Sequence, residues 1–175
     1  MEGCMSGFMG SGQVNLCEGL SQLKSEHPPL LKKLEELLSL SLKVENNEDP
    51  SFHFQALHES VEVFIRELGP HSEREEGVLF EMMGAYIGRE SGPIAVMEYE
   101  HDQAKSLIGR FLERTENGLD DISEVEMREL SAMIKQANYT LVDHFSKEEN
   151  VLFPMAERML NESEKAQLAA RIKEI

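Results

Sequence analysis

The stretch HSEREEGVLFEMM (residues 71–83) returns in the same chain as HFSKEENVLFPMA (residues 144–156). The two share His at the first place, Glu at the fifth and sixth, Val-Leu-Phe at the eighth to tenth and Met at the twelfth. The repeat extends beyond this phrase. A Glu-His pair stands at Glu26-His27 and again at Glu100-His101, 74 residues on, and the long phrases lie 73 residues apart. The order is Glu-His, long phrase, Glu-His, long phrase. Such a chain reads as one hairpin of two helices written twice. A pseudo-twofold axis between the copies would set equivalent residues face to face.

Helical periodicity supports this reading. Leu16, Leu20, Leu23, Leu30, Leu34, Leu37 and Leu40 keep steps of three or four, with His27 in the single wider gap. Asn15 is the expected cap of this first helix. Pro28 and Pro29 are expected to kink or restart it, since proline has no N–H to donate. The second stripe is Phe54, Leu57, Val61, Phe64 and Leu68, continuing through His71, Glu75, Val78 and Met82. Gly69-Pro70 should bend it without changing its face. The third is Ile94, Met97, His101, Ala104, Ile108 and Phe111, with Pro93 in its first turn. The fourth starts at Ser123, in a capping box with Glu126, and carries Met127, Leu130, Ile134, Ala137, Leu141, His144, Glu148, Val151, Met155 and Met159. A short helix from Glu162 to Glu174 follows. No segment alternates with the period of a strand. The expected fold is all-α: an antiparallel up-down-up-down four-helix bundle with kinked helices and a short C-terminal helix. Residues 1–15 read as a flexible lead-in, 16–161 as the bundle and 162–175 as the final helix.

Six titratable residues fall on core-facing stripes: His27, His71, Glu75, His101, His144 and Glu148. One buried histidine is easily satisfied by a neighbour. Six on four facing stripes call for a common compensator, because a bare buried ion costs several kcal/mol by the usual estimate. A metal is the natural one. His at i and Glu at i+4 point the same way, one turn apart. Two such helices and two lone imidazoles give four nitrogen and two carboxylate donors. That exceeds a four-coordinate zinc and suits a carboxylate-bridged pair of first-row ions, iron first. Glu76 and Glu149 point about 100° away from the adjacent candidate ligands, and so read as solvated or as lying behind the ligands rather than as ligands themselves. Glu26 and Glu100 also flank ligands, and a carboxylate there is able to gate protons or ions. His58, four before Glu62, only borders its stripe and reads as a decoy. His53 has no acidic partner at i+4. Cys4 and Cys17 form no disulfide framework and no CxxC pair, so ordinary thiols are expected.

The chain carries 17 basic and 33 acidic residues, a formal net charge of −16. Such a surface repels phosphate backbones and anionic lipid, so neither nucleic acid nor membrane is an expected partner. No apolar run approaches the roughly 18 residues of a membrane span. Residues 1–12 lack the basic-then-apolar pattern of a signal peptide, so a cytoplasmic protein is expected.

The pattern H…HxxxE…H…HxxxE, with EExVLF in both long phrases and LFP in the second, resembles the hemerythrin-like HHE cation-binding domain. The likeness covers about residues 16 to 160. It implies a four-helix bundle with a non-haem di-iron centre. His27, His71, His101 and His144 would be terminal ligands, with Glu75 and Glu148 bridging two irons. Lys105, four after His101, replaces the further histidine of the oxygen carriers, and Glu148 stands at +4 where they have Asp at +5. The sequence is thus more similar to the iron–sulfur cluster repair type, with four His and two Glu. The implied function is binding or sensing O2, NO or peroxide, or handling iron in a stress response. The alternative is an enzyme or repair protein that reduces NO or peroxide or mends iron–sulfur clusters. A ferritin-like centre would need a second ExxH, and only Glu98 to His101 supplies one.

Overall fold

The computed structural model describes residues 14–175. It is all helix apart from turns, with no strand among the described residues. In chain order come α1 (Glu18–Glu45), α2 (Pro50–Arg74), a π-helical turn (Glu75–Leu79), α3 (Phe80–Ile87), α4 (Pro93–Thr115), α5 (Glu124–Lys147), a second π turn (Glu148–Leu152), α6 (Phe153–Met159) and α7 (Glu162–Ile172). Each π turn joins the helices beside it without a break, so α2 to α3 is one rod and α5 to α6 another. α1 packs on α2 and α5, α4 packs on α5, and α2 closes the ring against α4. His27 lies early in α1 and His71 late in α2; His101 lies early in α4 and His144 late in α5. These residues share one level, so the four rods alternate in direction as an up-down-up-down bundle.

The stripes account for the core, with informative exceptions. Every predicted position of the third helix is buried, as are Leu20, Leu23, Leu30, Leu34 and Leu37 of the first. α1 runs unbroken through Pro28 and Pro29. Both prolines are exposed, so the carbonyls they leave unpaired face water rather than apolar core. Its cap is Cys17, not Asn15, and no side chain caps it; the Cys17 N–H donates to Glu157 at 2.6 Å. Ser123 accepts from the Glu126 N–H, but the Glu126 carboxylate is taken by Arg114, so only half of that capping box forms. A full box stands at Asn161 and Glu164 instead.

The largest departure lies after each long phrase's first Glu. A continuous α-stripe would bury Met82, Val151, Met155 and Met159. Val151 is instead 49% exposed, and the buried residues are Val78, as expected, with Leu79, Phe80 and Met83 in one copy and Leu152, Phe153, Ala156 and Leu160 in the other. Each π turn inserts one residue into the helical count, which rotates the face beyond it by one position. The shift brings the repeated Leu-Phe pairs under the site.

Two apolar clusters result. One runs from Leu30 and Leu34 to Val44, Phe54, Phe64, Phe111, Ile134 and Phe145. The other gathers Leu20, Leu23, Phe80, Met83, Ile94, Phe153, Leu168 and Ile172. The six buried histidines and glutamates of the stripes lie between them. α7 seals the second cluster: Arg171 donates to the Gly77 carbonyl in the first π turn, and Arg74 donates to the Ile172 carbonyl. Gly19 permits this contact, since a Cβ there would stand 2.8 Å from Leu168 Cγ and 3.1 Å from the Ala169 nitrogen. Gly19→Ala is expected to destabilise the protein by about 1–3 kcal/mol through overpacking. Thermal unfolding checks this, and an unchanged midpoint would contradict the close seating of α7.

Candidate metal centre

The bundle brings all six predicted residues together. His27, His71, Glu75, His101, His144 and Glu148 are each at most 1% exposed. Their donor atoms form two groups: His27, His71, Glu75 and Glu148, and Glu75, His101, His144 and Glu148. Within each group the atoms lie within 4.8 Å of one another. Both carboxylates belong to both groups and divide their oxygens between them. Glu75 turns Oε1 to His71 Nε2 at 3.4 Å and Oε2 to His101 Nε2 at 3.5 Å. Glu148 turns Oε2 to His27 Nε2 at 3.3 Å and Oε1 to His144 Nε2 at 3.1 Å.

None of these approaches is aligned as a hydrogen bond. All four Nε2 atoms and all four carboxylate oxygens are buried without a hydrogen-bond partner among the described residues. Eight unsatisfied polar atoms in one layer would be severely destabilising without a ligand. Their spacing fits metal ions. Two donors each about 2.1 Å from a first-row ion stand roughly 3.0–3.4 Å apart at coordination angles of about 90–109°. Nitrogen and carboxylate donors together are the set such ions take.

The outer nitrogen of every imidazole is satisfied. His27 Nδ1 donates to Glu149 at 2.8 Å, His71 Nδ1 to Glu26 at 2.7 Å, His101 Nδ1 to Glu76 at 2.6 Å and His144 Nδ1 to Glu100 at 3.2 Å. Each carboxylate in turn meets a cation: Glu149 meets Lys24, Glu26 meets Arg74, Glu76 meets Lys105 and Glu100 meets Lys147. Sequence reasoning kept these four glutamates out of the ligand set but assigned none of them a histidine partner. The structure gives them one, and their place beside each inward residue was the available signal. Aromatic rings wall the imidazoles: Phe145 and Phe153 stack on His27, and Phe80 on His101.

The charges follow from this arrangement. Burial and the facing Glu148 push the Glu75 carboxyl well up. Burial also opposes ionisation of Glu148, but the His144 and His27 imidazoles outweigh it and hold that carboxyl low. Burial lowers His71 and His101 despite their carboxylate partners. At His144 burial acts in the same direction, but Glu148 and Glu100 more than compensate and raise it. His101, then Lys105, draw Glu76 down to about 2 against its partial burial. Burial thus disfavours two ionised inner carboxylates side by side, and bound cations would supply the counter-charge.

The decoys fall elsewhere. His58 bonds Thr115 at 3.1 Å in a surface groove, and His53 bonds the Glu48 carbonyl at 2.5 Å. Glu98, the one acid with ExxH spacing, pairs with Arg89. Cys17 is half-buried, and burial together with Glu157 raises its thiol pKa. Cys4 lies outside the described residues. No helix among the described residues is long and apolar enough to cross a membrane.

Residues 18–156 match the family model of the hemerythrin HHE cation-binding domain. The iron–sulfur cluster repair protein YtfE of Musicola paradisiaca (strain Ech703) is 34% identical over 134 residues, which cover 73% of this chain and 59% of that protein. The protein of the same name from Escherichia coli (strain K12 / DH10B) is 34% identical over 130 residues, 71% of this chain and 58% of that one. The chain thus spans about three-fifths of the length of the curated relatives it matches.

Proposed function

The chain belongs to the hemerythrin HHE cation-binding domain family, and from that premise we propose that it holds two iron ions as a non-haem di-iron centre. Residues 16–161 are the metal-binding unit in this reading, and the final helix covers one end. His27 and His71 would hold one ion and His101 and His144 the other, with Glu75 and Glu148 bridging. The observation that carries it is the division of each inner carboxylate, one oxygen to each group of donors. Four protein donors per ion leave positions open, since first-row ions take up to about six. A bound iron pair supplies reversible one-electron chemistry and a place for O2, NO or peroxide. The chain's own residues keep four imidazoles turned Nε2-inward, bring the two carboxylates together and exclude water with Phe80, Phe145 and Phe153. Binding or sensing of such a small molecule, or iron handling under stress, is the function this supports.

A repair or enzymatic role is the second reading. It is favoured by the name of the 34% identical relatives, iron–sulfur cluster repair protein. Transfer of iron to an apo-cluster protein, or turnover of NO or peroxide, would select it over binding alone.

Anaerobic purification with metal analysis tests the centre. About two irons per chain, with a ferric absorption that appears on oxidation, are expected. One zinc and no colour would overturn the reading. His71→Ala should lower the metal content and His58→Ala should leave it unchanged.

A further inference from the structure

Resting on that reading of the site, we propose that Glu26, Glu76, Glu100 and Glu149 form a closed, one-handed ring of positioning carboxylates that turns all four imidazoles Nε2-inward before any ion arrives.

The ring follows from which rod gives to which. α1 gives Glu26 to His71 of α2. The first π turn gives Glu76 to His101 of α4. α4 gives Glu100 to His144 of α5. The second π turn gives Glu149 to His27 of α1. Four links pass once around the bundle in one direction and return to their start. Each crosses the boundary between two neighbouring rods.

Helix geometry explains the single direction. Successive residues on an α-helix are turned by about 100°. Viewed from one end of the bundle, that turn is clockwise on rods running away and anticlockwise on rods running back. On α1 and α4 the positioning glutamate precedes the inward residue, as Glu26 precedes His27 and Glu100 precedes His101. On the two opposed rods it follows, as Glu76 follows Glu75 and Glu149 follows Glu148. A step back on one rod and a step forward on its antiparallel neighbour point the same way around the axis. The Glu-His and Glu-Glu pairs of the repeat are therefore one device written for two chain directions.

The chemical effect lies in the tautomer. A neutral imidazole carries one N–H. Donating it from Nδ1 to a carboxylate leaves the Nε2 lone pair facing the site and makes it a better donor to metal. The carboxylates are anchored in turn, by Arg74 at 3.1 Å from Glu26, Lys105 at 2.5 Å from Glu76, Lys24 at 3.4 Å from Glu149, and Lys147 on Glu100. Each link joins protein groups alone and leaves the Nε2 atoms out of it.

Histidine nitrogen NMR on the metal-free full chain tests this. In the wild type all four buried imidazoles should show Nδ1–H and a bare Nε2. In Glu76→Ala the His101 signal should lose that pattern, and iron affinity should fall about 10–100-fold. Glu76→Gln should restore the tautomer, because the amide oxygen still accepts. It should also raise the midpoint potential of the loaded protein, because the negative charge behind His101 is gone. Glu90→Gln, on the exposed surface, should change neither. Nε2–H tautomers in the wild type, or a His101 signal indifferent to Glu76→Ala, would overturn the ring. If Glu76→Ala does not fold, the potential of Glu76→Gln decides, and an unshifted value overturns the proposal. A wild type with the expected tautomers that binds no iron would instead refute the metal centre and leave the ring standing.

Discussion

Glu148→Ala is expected to empty both metal positions at once. Its Oε2 faces His27 at 3.3 Å and its Oε1 faces His144 at 3.1 Å, so one side chain serves both groups of donors. A histidine substitution removes a donor from one group only. Losing an outer partner of a ligand costs about 10–100-fold in affinity, and losing a ligand from both groups should exceed about 100-fold. After anaerobic loading and dialysis, Glu148→Ala should retain almost no iron, while His101→Ala retains the ion of the His27 group. Full iron content in Glu148→Ala would refute a shared carboxylate. Equal, complete loss in both variants would show that the two positions fill only together.

The second large effect has the opposite sign for stability. Replacing Glu75 and Glu148 together by leucine is expected to raise the stability of the metal-free protein by about 1–4 kcal/mol. Two inner carboxylates are 0% exposed, and none of their oxygens has a hydrogen-bond partner among the described residues. Leucine has a similar volume and would join the two apolar clusters that the polar layer separates. For a chain of this size the gain amounts to roughly 2–4 °C in thermal midpoint per kcal/mol. The same variant should bind no iron. Calorimetry with a chelator present checks the comparison, and a lower midpoint than metal-free wild type would mean that the empty layer is already well satisfied. The expected result places the site among those kept for function at a cost in stability.

The inward histidines and glutamates were legible because burial and helical period coincide at them. His101 lies on a stripe with Ile94, Met97, Ala104 and Phe111, and only its chemistry is out of place there. The π turns were not legible, because a one-residue shift moves from one apolar candidate to another: Met82 to Met83, Val151 to Leu152. Composition offers no reason to prefer either, and the choice is made by packing within the second apolar cluster. For a related reason, Pro28 and Pro29 do not restart α1. A proline breaks a helix where its orphaned carbonyl would be buried, and theirs face water. The four outer glutamates were visible as neighbours of ligands, but their task needs the antiparallel arrangement of the rods, which no single helix shows.

The sharing of donors between hairpins has a consequence for how little information the centre needs. The first hairpin supplies His27, His71 and Glu75 to one group, and the second lends it Glu148; the second supplies His101, His144 and Glu148 to the other, and the first lends it Glu75. Neither hairpin is sufficient, yet each brings the same three donors and lends the same one. Two copies of a single hairpin, associated through a twofold axis, would present both groups complete. The join at Gly88 to Gly92, with both glycines at positive φ, then serves as a tether: it fixes the local concentration of one half around the other and allows the halves to diverge, as the different cations behind Glu26 and Glu100 already have.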